Sequence, residues 1–65
     1  MLVNFVEAGT GKSIAINPVH VVCLFEKAFD DLGEKTIISM INGNVAVDES
    51  YIEVMGVLQG QLNGS

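Results

Sequence analysis

At 65 residues the chain is a single small domain, near the lower limit at which one hydrophobic core suffices without disulfides, metal or association. Its net charge is −5, with Lys12, Lys27 and Lys35 as the only cations and no Arg, so a nucleic-acid polymer, whose phosphates need a basic surface, is not an expected partner. Yet 49% of the residues are hydrophobic and the mean hydropathy is +0.46, more apolar surface than so short a chain can hide within itself, and the expected outlet is an interface with further copies.

The first residues, Met1-Leu2-Val3-Asn4-Phe5-Val6, carry no basic flank and meet Glu7 too early for a secretory signal. No apolar run reaches the ~18 residues that a membrane-spanning helix requires. Residues 2–7 are β-branched and aromatic enough for a strand, and Ser13-Ile14-Ala15-Ile16 makes a second, joined through Gly9-Thr10-Gly11-Lys12. Pairing Gly9 with Lys12 sets Phe5 against Ile16 and collects Val3, Phe5, Ile14 and Ile16 on one apolar face.

Asn17-Pro18 then marks a turn. Residues 21–25, Val-Val-Cys-Leu-Phe, are apolar on both faces, with Val22 and Leu24 on one of them, which predicts a central strand or one pressed against a partner. Within it Cys23, the only cysteine, reads as a small buried hydrophobe. A lone cysteine excludes an internal disulfide and a multi-thiolate zinc site, and a single free thiol points to the reducing cytoplasm. Residues 27–35 form the most polar segment and read as a loop, with room for one helical turn, closed by Gly33.

Asn42-Gly43 between two β-branched runs predicts a hairpin with a type I′ turn, because both central residues tolerate positive φ. That register sets Ile38 against Val47 and Met40 against Val45. One face then carries Thr36, Ile38, Met40, Val45 and Val47. The other carries Ile37, Ser39, Ile41, Asn44, Ala46 and Asp48, too polar for a closed core and too apolar for water alone. Next, Ser50-Tyr51-Ile52-Glu53 has the spacing of a capping box, and Tyr51, Met55, Leu58 and Leu62 recur at helical spacing with Val54 beside them. Gly56 and Gly60 each weaken such a helix by about 1 kcal/mol relative to Ala. Their spacing marks either a poor last turn or a close approach of another backbone.

These elements assemble as an α+β domain over residues 1–65: two β-hairpins plus a central strand in a curved five-stranded antiparallel-rich sheet or open barrel, with one C-terminal α-helix. Exposed edges in so small a sheet favour pairing between subunits.

Catalytic chemistry finds little to work with. Gly9-Thr10-Gly11-Lys12-Ser13 matches the end of a phosphate-binding loop, but the first glycine of that motif would fall at Val6, and the following residues are strand-like and end in Pro18, where the motif needs a helix. The stretch reads as a hairpin turn whose successive N–H groups and Lys12 could hold a small anion if several copies converge, with Tyr51, Phe29 or Phe25 available for stacking. His20 has no nucleophile partner at triad spacing. Asp30, Asp31 and Glu34 lack the calcium-loop pattern, and Asp48, Glu49 and Glu53 suit a helix N-terminus. No metal, no cofactor and no enzymatic activity are expected.

Three stretches carry a family likeness: Gly11-Lys12-Ser13-Ile14-Ala15-Ile16-Asn17, then Val22-Cys23-Leu24-Phe25-Glu26, then Thr36 to Val54 as T-x-I-x-x-x-x-G-x-x-x-V-x-E-S-x-x-E-V. In this layout the chain resembles the small flagellar FlbD family, departing from it in the longer acidic segment 27–35 and in the Asn17-Pro18 turn. The resemblance implies a small cytoplasmic bacterial accessory protein with no catalytic residues to carry over.

Two functions follow as expectations. One is a non-enzymatic homo-oligomeric module, of a phage or bacterial kind, that sequesters a small anionic nucleotide-like ligand between subunits. It would use Gly9, Thr10, Gly11, Lys12, Ser13 and Tyr51 for the ligand, and Ile37, Ile41, Ala46, Val22 and Leu24 for the interface. The other is an FlbD-like adaptor that meets a host protein through an apolar sheet face or the C-terminal helix.

Overall fold

A computed structural model describes residues 2–62 as five strands and one helix, an α+β arrangement. Strands β1 (Val3–Val6) and β2 (Ser13–Ile16) form a two-stranded antiparallel sheet. Strands β3 (Val21–Phe29), β4 (Gly33–Met40) and β5 (Gly43–Val47) form a second, in the order β3-β4-β5. Between β2 and β3, Pro18–His20 makes one turn of 3-10 helix, capped by the Asn17 side chain, which accepts from the Val19 N–H at 3.0 Å. Helix α1 (Tyr51–Leu62) follows β5.

The five strands therefore divide into two sheets where one curved sheet or open barrel was expected. Contact between them is local. An antiparallel bridge links Glu7 to Val47, the Ala8 N–H donates to the Ala46 carbonyl at 2.9 Å, and the Asp48 N–H donates to the Val6 carbonyl at 2.9 Å. Elsewhere β1 pairs only with β2, and its Val3 and Phe5 side chains are buried in the core.

Both hairpins form, each with its turn one residue earlier than composition suggested. Ile38 faces Val45 and Thr36 faces Val47, so Ile41 and Asn42 make the loop and Gly43 is already paired with Met40. Among the described residues only glycines have positive φ, so Asn42 does not adopt the type I′ geometry, whereas Gly43 sits at φ 149°. The physical reason lies outside the hairpin: the Ile41 N–H is held by the His20 carbonyl at 3.2 Å. In the first hairpin Phe5 faces Ile14, and the Glu7 N–H bonds the Lys12 carbonyl at 2.8 Å around Gly9 (φ 90°) and Gly11 (φ 72°). Each partner moves by two positions, and since side chains alternate with period two, every residue keeps its face.

Segment 27–35 is not a loop. Alternation continues through Lys27-Ala28-Phe29, only Asp30, Asp31 and Leu32 turn, and Gly33 (φ 77°) begins β4. A hairpin arm reaching past the core has little apolar surface to bury, so a polar composition does not prevent strand pairing there. Leu32 folds back until a Cβ added at Gly9 would stand 3.5 Å from its Cδ1. Strand β3 is an edge of its sheet, where a central strand or one pressed against a partner was expected. A bulge between Val21 and Cys23 then reassigns its faces: Val21 and Leu24 pack toward the core, while Cys23 is exposed rather than buried.

The core gathers Val3 and Phe5 from β1, Ile16 from β2, Ile38 and Val47 from β4 and β5, and Val54 and Leu58 from α1. Burying side chains of this size stabilises a fold by about 1.5–3 kcal/mol each. Ser50 caps α1, with Oγ accepting from the Glu53 N–H at 3.2 Å, which is half of the expected capping box; among the described residues the Glu53 side chain does not bond back to the Ser50 N–H. The helix packs on β3, β4 and the 3-10 turn, burying Val54 and Leu58 fully and Tyr51 and Met55 in part; the side chain of Leu62 lies outside the described residues.

Candidate functional site

The glycine turn is knitted to itself. The Gly11 N–H donates to the Glu7 carbonyl at 3.0 Å, the Lys12 N–H donates to Thr10 Oγ1 at 3.3 Å, and the Thr10 hydroxyl donates to Glu7 Oε1 at 2.7 Å. Two of the donors that an anion would need are thus turned inward, and a carboxylate stands at the centre of the turn. Gly9, Thr10, Gly11, Lys12 and Ser13 are all exposed, whereas Tyr51 is half-buried in the first turn of α1 and lines neither of the grooves described below.

The outer face of the β3-β4-β5 sheet, turned away from the core, brings together more chemistry. Cross-strand register sets Phe25, Ile37 and Ala46 in one row, and Cys23, Ser39 and Asn44 in the next. Lys27 and Lys35 stand directly opposite each other in the row on the far side of Phe25. A groove of about 260 Å³ runs over this surface, lined by Phe25, Lys27, Phe29 and Ile37 and by the β5 run Asn44-Val45-Ala46. Ile37 is only 6% exposed although it lies outside the core cluster, so its neighbours on this face bury it separately. Lys35 is paired with Asp48 at 3.1 Å, while the Lys27 ammonium lies 5.5 Å from the centre of the Phe29 ring, within reach of a cation–π attraction.

Of the expected interface residues, the structure places Ile37 and Ala46 together in this groove. Ile41 is at the tip of the β4-β5 turn and 73% exposed, Val22 is at the bulge of the β3 edge and 66% exposed, and Leu24 packs against the core. A second groove of about 400 Å³ is lined by residues of both hairpins, among them Leu2, Ile14, Ile16, Met40 and Val45, and by His20.

Lys27 and Lys35 were the residues that composition hid. Once residues 27–35 read as a loop, neither lysine had a face. The alternation Phe25-x-Lys27-x-Phe29 is the signal that could have found them, because three residues at period two share one side of a strand.

Among the described residues no group of three or more His, Cys, Asp or Glu side chains is placed to hold a metal, and no helix is long and apolar enough to cross a membrane. Compared with known proteins, the chain matches no family model, no curated sequence and no solved structure.

Proposed function

We propose that this protein is a non-enzymatic binding module that works as a homo-oligomer in the cytoplasm and sequesters a small anionic, nucleotide-like ligand where its subunits meet. The observation that carries the reading is the β3 edge. Nine residues long and paired on one side only, β3 offers its free backbone groups beside exposed Val22 and Phe25, the combination by which sheets extend from one molecule into the next. The excess of apolar residues for so short a chain supports the same conclusion. Light scattering tests the assembly, and calorimetry against a panel of linear and cyclic nucleotides tests the ligand; a monomer that gives no heat with any of them would sink the reading.

A second reading, an FlbD-like adaptor that binds a host protein, draws on α1. Ile52 (77% exposed) and Val57 (38% exposed) leave apolar surface on the side of the helix away from the core. An Ile52→Asp variant that retains every partner of the wild-type chain in a pull-down would count against it.

A further inference from the structure

We propose that the outer face of the β3-β4-β5 sheet is a binding site for a planar aromatic anion of the nucleoside monophosphate class. Lys27 contacts the phosphate, Phe25 takes the base, and Asn44, in the next row beyond Phe25, meets the base edge. The inference rests on the binding-module reading, names its ligand site on the sheet face beside the β3 edge, and does not use the glycine turn.

Charge is the first argument. The chain holds three cations against eight carboxylates, yet two of the cations are direct cross-strand partners on this face. Like charges set opposite each other on a sheet repel, so the arrangement is unfavourable unless something negative lies between or above them. The nearest strand carboxylates do not serve: Glu26 faces Thr36 and Glu34 faces Ala28, both on the opposite side of the sheet. Asp48 neutralises Lys35, and Asp30 and Asp31 belong to the turn beyond the groove. Lys27 has no carboxylate partner among the described residues. The face therefore carries two lysines and one carboxylate in a chain whose net charge is −5, a local inversion of sign that favours an anion.

Shape and polarity narrow the class. Ile37 and Ala46 make an apolar floor, and Phe25 (41% exposed), in the same cross-strand row, offers ring surface on which any base can stack. Asn44 offers both a donor and an acceptor, as the edge of a base requires. At about 260 Å³ the groove lies just below the range of about 300–1,000 Å³ typical of small-molecule pockets, which suits one base with its phosphate at the rim. A nucleic-acid strand needs a longer track of cations than two lysines supply.

The test is an amide-shift NMR titration of the whole chain with AMP, with adenosine and with inorganic phosphate. AMP is expected to move the amides of Lys27, Ile37 and Asn44 and to bind roughly tenfold more tightly than adenosine, the difference that one charge-assisted contact supplies. Lys27→Gln is expected to abolish that preference, and Phe25→Ala to weaken AMP and adenosine alike; both positions are exposed, so each variant keeps the wild-type spectrum elsewhere. Equal affinity for AMP and adenosine would overturn the role of Lys27. Shifts confined to residues 9–13 would overturn the site while leaving the ligand class standing. Shifts on β3 that follow protein concentration and ignore AMP would assign the face to a second copy of the chain and overturn the ligand site, while upholding the assembly.

Discussion

The carboxylate of Glu49 accepts the backbone N–H of Val6 across 43 residues of sequence, with both oxygens at 3.2 Å. This bond ties the segment after β5 to the free side of β1, beside the Glu7–Val47 bridge, and so it fixes one sheet against the other. From β4, the Thr36 hydroxyl donates to the backbone carbonyl of the same Glu49 at 2.9 Å. Glu49→Ala is expected to destabilise the fold by about 1–3 kcal/mol, since the part-buried Val6 N–H loses a charged acceptor, and Glu49→Gln by less because one oxygen remains. Urea unfolding of the two variants checks the order.

Gly56 occupies the middle of α1, and a Cβ built there meets nothing within 4 Å. Gly56→Ala should then raise stability by about 0.5–1 kcal/mol through helix propensity alone, seen as a higher melting temperature. A lower melting temperature, or a smaller assembly, would instead reveal a second backbone pressed against this glycine, the alternative that its spacing from Gly60 left open.

Ile38 is fully buried between the two sheets and the helix. Ile38→Ala removes its contacts and leaves a cavity, an expected loss of about 2–5 kcal/mol. A domain of this length has a total stability on the order of 3–10 kcal/mol, so the variant is expected to be partly or wholly unfolded at 37 °C by circular dichroism.

Much of this core was legible in the sequence, for a reason that Ile38 and Phe5 make plain. Each shares a face at period two with another core position, Ile38 with Met40 and Phe5 with Val3, and an error of two positions in partner leaves that face unchanged. The Ser50 cap was legible because it depends on residues three apart. What could not be read were effects that arrive from elsewhere in the chain. The His20 carbonyl draws Ile41 into the turn, Glu49 reaches back to Val6, and the bulge at Val22 turns Cys23 outward. The outer face was half legible: Ile37 and Ala46 followed from the hairpin, but Lys27 and Lys35 needed the strand that polar composition concealed.

Val22 projects from the β3 edge, where a charge obstructs strand-to-strand pairing between molecules. Val22→Lys is expected to reduce the assembly to its monomer at micromolar concentration, with an unchanged far-ultraviolet spectrum, because the side chain is 66% exposed and supports no part of the core. Sedimentation velocity of variant and wild type checks it.

Self-association is the claim on which the functional account depends most, and the mass of the native protein tests it directly. Light scattering on the purified chain is expected to return a whole-number multiple of 6.9 kDa, two or greater, across the micromolar range. A mass of 6.9 kDa at every concentration would contradict the account.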